Sequence, residues 1–193
     1  MVALLLSAIT AFGQESRQDV SISATGAFIP EVHGATGTYT TTNDSLGALV
    51  SYRYLLTPRS GLEVNYGFTQ NTPTYVVPGT LMNQVHARDQ EFSAAYVFNE
   101  TYKRYIPFVE AGPGVMFYSP IHDYQSNILD TKRSTTLGGI FGAGLAYELS
   151  PSFDIRAEYR GFLGKTPNFG ITDFSVNRYR VNSQAAIGVA YHF

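Results

Sequence analysis

Cysteine and tryptophan are both absent from this chain of 193 residues. Without cysteine there is no disulfide framework and no thiolate to serve as nucleophile or metal ligand. Charge is sparse as well: Asp, Glu, Lys and Arg make up 15% of the chain and the formal net charge is −2, so nothing suggests a nucleic-acid partner. Long apolar runs are missing too. No segment approaches the eighteen or so consecutive apolar residues of a transmembrane helix. If the chain enters a membrane, it must do so as strands closed into a barrel. The one short apolar run, residues 2–12, is followed by Gly13-Gln14-Glu15. Its length suits the core of a secretory signal, although no Lys or Arg precedes it. Residues 1–13 are therefore expected to be a signal peptide and 14–193 a single domain.

What the chain has in quantity is glycine (18), tyrosine (14) and phenylalanine (13), a composition that favours strands. Period-two alternation recurs over eight segments, at about 18–29, 45–55, 61–70, 86–98, 105–118, 134–148, 152–163 and 178–193. The connections alternate in character. Those after the second, fourth and sixth strands are short turns: Leu56-Thr-Pro-Arg-Ser60, Asn99-Glu-Thr-Tyr-Lys-Arg104 and Leu149-Ser-Pro151. The others, about 30–44, 71–85, 119–133 and 164–177, are long and polar and are expected to be loops.

Each strand has two faces. In the seventh, Phe153, Ile155, Ala157 and Tyr159 oppose Asp154, Arg156, Glu158 and Arg160. In the third, Leu62, Val64, Tyr66 and Phe68 oppose Glu63, Asn65, Gly67 and Thr69. A soluble barrel of the lipocalin type would turn the apolar face inward, and a membrane barrel would turn it outward. Two features favour the membrane. The polar parity is rich in small residues such as Gly112, Gly114, Gly138, Gly142 and Gly144, which a crowded eight-stranded interior needs and a water-facing row does not. All lysines (Lys103, Lys132 and Lys165) fall in turns or loops, whereas soluble sheets place lysine on exposed strand faces and edges.

The inward parity then carries Glu63, Glu91, Glu110, Glu148, Asp154 and Glu158 together with Arg53, Arg156, Arg160 and Arg180, which are expected to form a paired polar network in the lumen. Ile155→Arg is expected to block insertion and Arg156→Ile mainly to loosen the lumen. Aromatics cluster near the strand ends on the apolar face, with Tyr54, Phe98, Tyr105, Tyr147, Phe153 and Phe193 at one end and Phe28, Phe68, Phe92 and Phe117 at the other. Rings at headgroup level form the girdles of membrane barrels.

The last strand, Ser183 to Phe193, alternates Ala185, Ile187, Val189, Tyr191 and Phe193 with small or polar residues and ends on an aromatic. With the strand pattern and the alternating connections, this resembles the small eight-stranded outer-membrane barrels, the OmpA/OmpX-like group, over about residues 18–193. The resemblance implies an all-β, eight-stranded antiparallel up-and-down transmembrane barrel in the outer membrane of a Gram-negative bacterium, with both termini in the periplasm. It also implies that Tyr191 and Phe193 form a C-terminal signal for barrel assembly. The implied partners are outer-membrane lipid and, during biogenesis, the barrel-assembly machinery and periplasmic chaperones. A monomer is expected, and the ligand of the loops stays open.

A few barrels of this group are lipid-modifying enzymes, and a deacylase would need Ser, His and an acid within reach of one another. No His-x-Ser-Asn sequence occurs, and the nearest pair, Ser119-Pro-Ile-His122, lies in an expected loop. His122, Asp123 and Asp130 share a loop without the spacing of a closed metal site. Neither catalysis, cofactor nor metal is expected. A structural or surface-interaction role through the long loops is the leading expectation. A narrow conduit for small or hydrophobic solutes is the alternative, because the inward rows of the fifth and sixth strands look poor in bulky groups, and a lipocalin-like carrier ranks third.

Overall fold

A computed structural model of the chain describes residues 17–33, 39–42, 45–76, 83–121, 132–167, 169 and 178–193. The expected signal segment and most of the loop around His122, Asp123 and Asp130 lie outside the described residues. Among the described residues, twelve strands run in chain order: β1 Gln18–Phe28, β2 Val32–His33, β3 Tyr39–Thr42, β4 Ser45–Thr57, β5 Ser60–Asn71, β6 Pro73–Val76, β7 Asn83–Gln84, β8 Ala87–Asn99, β9 Tyr105–Pro120, β10 Ser134–Ser150, β11 Phe153–Lys165 and β12 Tyr179–His192. Eight of them close into a barrel in the order β1-β12-β11-β10-β9-β8-β5-β4, every pair antiparallel. These eight coincide with the expected strands to within about two residues at each end.

Hairpin chemistry accounts for the short turns. Pro58-Arg59 and Pro151-Ser152 connect their strands directly. Tyr102 and Tyr105 exchange backbone hydrogen bonds of 2.8 and 2.9 Å around Lys103, whose φ of 59° lies in the left-handed region. The barrel closes at its seam over ten paired positions from Asp19↔His192 to Phe28↔Ser183, and the Phe193 amide donates to the Gln18 carbonyl at 3.0 Å. Closure removes the edge strands that would otherwise template aggregation.

The faces are inverted relative to a soluble protein. Ile22 is 65% exposed, Leu46 86%, Leu137 79% and Ile187 61%, while Arg156 and Arg160 are each 2% exposed. The outer wall is an apolar band that only lipid covers without cost. Rings pair near its edges, Tyr105 with Tyr147 and Phe153 with Tyr191, each at 5.1 Å between centroids. At the other end Phe92 lies between Tyr66 at 4.8 Å and Phe117 at 6.0 Å. The β8–β9 ladder is interrupted in mid-wall. Pro113 has no N–H to donate, and the β8–β9 ladder stops at Ser93↔Gly114 and resumes at Tyr96↔Ala111. A depression of about 360 Å³ lies there, lined by Phe92, Ala94, Pro113, Val115 and Leu137.

The first two long connections are not simple loops. They carry β2, β3, β6 and β7, which form a four-stranded sheet in that order. This sheet prolongs the barrel wall. The frame that pairs Ala27 with Ser45 also pairs Val32 with Thr40. Likewise the frame of Asn71↔Ala87 carries on to Thr74↔Gln84. Only the central pair slips, by one residue, between Gly47↔Thr69 and Thr42↔Pro73. Half of the barrel's circumference therefore rises beyond the rim as a raised wall. The expectation of loops over 30–44 and 71–85 is corrected to that extent, because strands of two to four residues are too short to show a period.

Candidate functional site

The lumen is where the polar residues converge. Alternation brings Asp19, Arg53, Glu63, Glu91, Glu110, Asp154, Arg156, Glu158, Arg160 and Arg180 inside, none more than 8% exposed. Small neighbours make room for them. A side chain at Gly142 would collide with Glu110 and Arg160, and one at Gly144 with the Phe108 ring.

Near the short-turn end, Arg53 Nε and Nη2 both contact Glu63 Oε2 at 2.6 Å. Arg156 Nη2 donates to Asp19 Oδ1 at 2.9 Å, and its Nη1 reaches Glu63 Oε2 at 3.4 Å and Ser21 Oγ at 3.3 Å. Both guanidinium groups lie against the Phe108 ring, at 4.8 and 5.6 Å from its centroid. Such contacts contribute about 0.5–2 kcal/mol each. At the same end His192 Nε2 meets Asp154 Oδ2 at 2.8 Å.

Further along the axis, Arg160 Nη2 donates to Glu91 Oε1 at 2.7 Å and to Ser93 Oγ at 3.2 Å, with Glu110 Oε1 3.8 Å from its Nε. Glu158 adds a buried carboxylate that has no ion pair among the described residues. Beyond it, the Asn71 amide donates to Asp89 Oδ2 at 2.6 Å, the Asn182 amide donates to the Tyr118 hydroxyl at 3.1 Å, and Arg180 lies 5.9 Å from the Tyr118 ring.

An apolar cluster of Val85, Ala87, Ala95, Met116, Tyr118, Ile140, Phe162 and Phe169 fills the lumen toward the long-loop end. Phe169 belongs to the last long connection, yet its ring is fully buried, with Tyr118 edge-on at 6.4 Å. Its carbonyl accepts the Lys132 N–H at 2.8 Å. Its φ of 50° costs about 1–2 kcal/mol, which burial of the ring offsets.

Three sequence readings change here. Glu148, expected in the network, is half-exposed beside the bulge between Glu148 and Ser150 at the rim, and its amide bonds to Arg104. It makes no ion pair among the described residues. Asp19 and Asp89 were not singled out, yet both are buried in the lumen; their parity with Ser21 and with Glu91 is the signal that finds them. The inward rows of the fifth and sixth barrel strands are not poor in bulk either. They carry Phe108, Met116, Tyr118 and Ile140, and Phe162 from β11 crowds Gly114, Gly138 and Gly164. The glycines are the sockets for these rings, not empty space.

A closed antiparallel barrel with an apolar exterior and an ion-paired interior defines an integral membrane barrel. The family model for the outer membrane protein beta-barrel domain matches residues 1–193, and the chain belongs to that family of bacterial outer-membrane proteins. The structure is similar to the outer membrane protein OprG from Pseudomonas aeruginosa, with a TM-score of 0.69 at 13% identity over 94% of this chain and 98% of that one. It is similar to Neisserial surface protein A, with a TM-score of 0.64 at 17% identity over 92% and 98% of the two chains. It is also similar to Ail, the attachment invasion locus protein of Yersinia pestis, with a TM-score of 0.55 at 16% identity over 93% and 100%. At these identities the fold is what is shared. No curated protein matches the sequence.

Proposed function

We propose that this barrel is a non-enzymatic, monomeric scaffold that holds a surface-interaction region at the cell exterior. In this reading the termini and short turns face the periplasm, and the raised wall and long connections face outward. The observation that carries it is the contrast between the two ends. One end consists of tight hairpins, and the other extends half the barrel wall beyond the rim. The lumen between them is occupied by ion pairs and rings, so the interior acts as a brace and not as a passage. The name of the attachment invasion locus protein, a structural neighbour, is compatible with a role at the surface. Outer-membrane lipid covers the wall. Tyr191 and Phe193, which stack at 6.0 Å beside the seam, act as the signal for the barrel-assembly machinery, and periplasmic chaperones carry the chain to it.

The test is epitope accessibility on intact cells. A tag inserted between residues 77 and 82 is expected to bind antibody without permeabilisation, and a tag at Pro58-Arg59 only after it. The opposite pattern would overturn the orientation. Liposomes carrying the purified barrel are expected to swell in small sugars no faster than empty ones. Rapid swelling would favour the conduit instead.

A further inference from the structure

We propose that the middle of the lumen is a proton-binding site, in which Glu110 and Glu158 hold protons as uncharged carboxylic acids at neutral pH. The site lies inside the wall and is the same whichever way the barrel faces. It follows first from a surplus of acid. Among the described residues, the buried side chains include seven carboxyl groups but four guanidinium groups, so they cannot all be paired as charges. Close partners go to Asp19, Glu63 and Glu91, held by Arg156, Arg53 and Arg160, and Asp154 has His192. Asp89 receives the Asn71 amide at 2.6 Å and is attracted by Arg180. Glu110 and Glu158 are what remains.

The two acids share one layer. Glu110↔Gly142 and Gly144↔Glu158 place them on inward rows of β9 and β11, with only glycines of β10 between. A Cβ at Gly142 would lie 2.8 Å from Glu110 Oε1, so that carboxyl is pressed against the β10 backbone. Neither oxygen of Glu110 accepts a hydrogen bond. Its contact with Arg160 Nε is 3.8 Å, and that guanidinium already holds Glu91 at 2.7 Å. The charged groups facing the pair are Arg53 from β4, Glu63 from β5, Glu91 from β8, and Arg156 and Arg160 from β11. From β12 come Ala186 and Gly188, and Asp19 of β1 is engaged by Arg156. Glu63, Glu110 and Glu158 repel one another when charged. Phe108 closes the layer toward the short turns, and Met116 and Phe162 close it toward the long connections, each at most 3% exposed. A carboxyl shut off from water without its own counter-charge resolves the conflict by taking a proton.

A second observation comes from another strand. Asn65 stands two residues from Glu63 in the same inward row of β5, between Ser51 and Ser93. It is 1% exposed, and neither its Oδ1 nor its Nδ2 has a hydrogen-bond partner among the described residues. A buried amide left open on both sides points to a small hydrogen-bonding guest in this layer. Acid surplus and open amide thus indicate the same ligand, a proton with its hydration.

The experiment uses the full-length barrel folded into phosphatidylcholine vesicles. Infrared spectra of the wild type at pH 7 are expected to show the carbonyl stretch of uncharged carboxylic acids. That band should be lost stepwise in Glu110→Gln and Glu158→Gln and kept in Asp89→Asn. Urea unfolding supplies the thermodynamic counterpart. A carboxyl neutral in the barrel and ionised in the unfolded chain binds more protons when folded, so stability falls as pH rises above the ordinary glutamate range, by up to about tenfold per group and pH unit in the unfolding equilibrium. His192 is kept in every protein compared, so only the difference between wild type and variant is read. The advantage of the double Gln variant over the wild type is expected to grow by at least about tenfold between pH 5 and pH 7. Glu91→Gln, which strips Arg160 of its closest acid, is expected to be weaker than the wild type at every pH. Absence of the uncharged-acid band, its survival in both Gln variants, or an advantage that does not change with pH would overturn the proposal. So would stability that follows sodium concentration at fixed pH and ionic strength, because a metal cation would then be the guest. If neither Gln variant folds, the wild-type and Asp89→Asn spectra decide: the band must be present in both.

Discussion

The pair Arg156–Asp19 offers the sharpest test of how the lumen holds the barrel together. Arg156→Met removes a guanidinium 2% exposed and leaves its aliphatic volume in place. Glu63 keeps Arg53 at 2.6 Å, but Asp19 loses its ion pair at 2.9 Å. Stranding a buried charge in this way costs about 3–5 kcal/mol. That corresponds to roughly a hundredfold to a few thousandfold in the unfolding equilibrium. Asp19→Asn leaves Arg156 with Glu63 and Ser21 and is expected to cost less, about 1.5–3 kcal/mol. The double variant should be less damaged than the sum of the two by about 1–3 kcal/mol. Urea unfolding in phosphatidylcholine vesicles, followed by far-UV circular dichroism because the chain has no tryptophan, measures all four corners of the cycle. Additivity within about 0.5 kcal/mol would refute the reasoning, since the two groups would then not depend on one another.

On the lipid face, Ile187→Arg is placed near mid-strand between Ala24 and Ala157, and should cost about 2–4 kcal/mol of folding free energy. Ile155→Arg sits one outward-facing row inside the Phe153–Tyr191 rings, nearer the rim than Ile187, so it should cost less than Ile187→Arg. The folded fraction on unboiled gels separates the two. Gly144→Ala would force a Cβ onto Phe108 and to 2.7 Å from the Ala157 carbonyl, for about 1–3 kcal/mol, whereas Gly26→Ala meets only the Phe28 ring at 3.8 Å and should change stability by no more than about 0.5 kcal/mol. Paired thermal melts of these two glycine variants check that contrast. Phe169→Ala should lower stability by about 3–5 kcal/mol and speed proteolysis of the last long connection, and unchanged cleavage kinetics would show that the ring does not anchor it.

The barrel strands are legible in the sequence because each is long enough for period two to repeat and because lipid and lumen demand opposite chemistries of adjacent residues. Arg156 and Ile155 could not exchange places without the pattern failing. The raised wall is not legible in this way. Tyr39–Thr42 and Pro73–Val76 give too few alternations, and what specifies their pairing is the register inherited from the strands below. The candidate site was visible as a set of inward charges but not as a set of contacts. Parity cannot tell that Asp19 faces Arg156 across β12, because the match depends on the seam. Nor can it tell that the inward glycines hold rings, because Phe108 and Phe162 reach those sockets from neighbouring strands. Phe169 was hidden for a different reason: a single buried ring in a polar connection has no periodicity at all.

The seam also sets an order of events. Seven of the barrel's eight junctions join strands that are neighbours along the chain, apart from the short strands of the raised wall, and each can zip from its own connection. The eighth joins β1 to β12, the two barrel strands farthest apart in sequence, and the Phe193 amide donates to the Gln18 carbonyl at its edge. Bringing such distant ends together carries a loop-closure term of about 4–5 kcal/mol that the local hairpins do not meet. Arg156 reaches across β12 to Asp19, so the buried charge pair bridges the same late junction from within. Until those contacts form, both end strands are open templates, and the unclosed sheet is the species that must be shielded from its own kind.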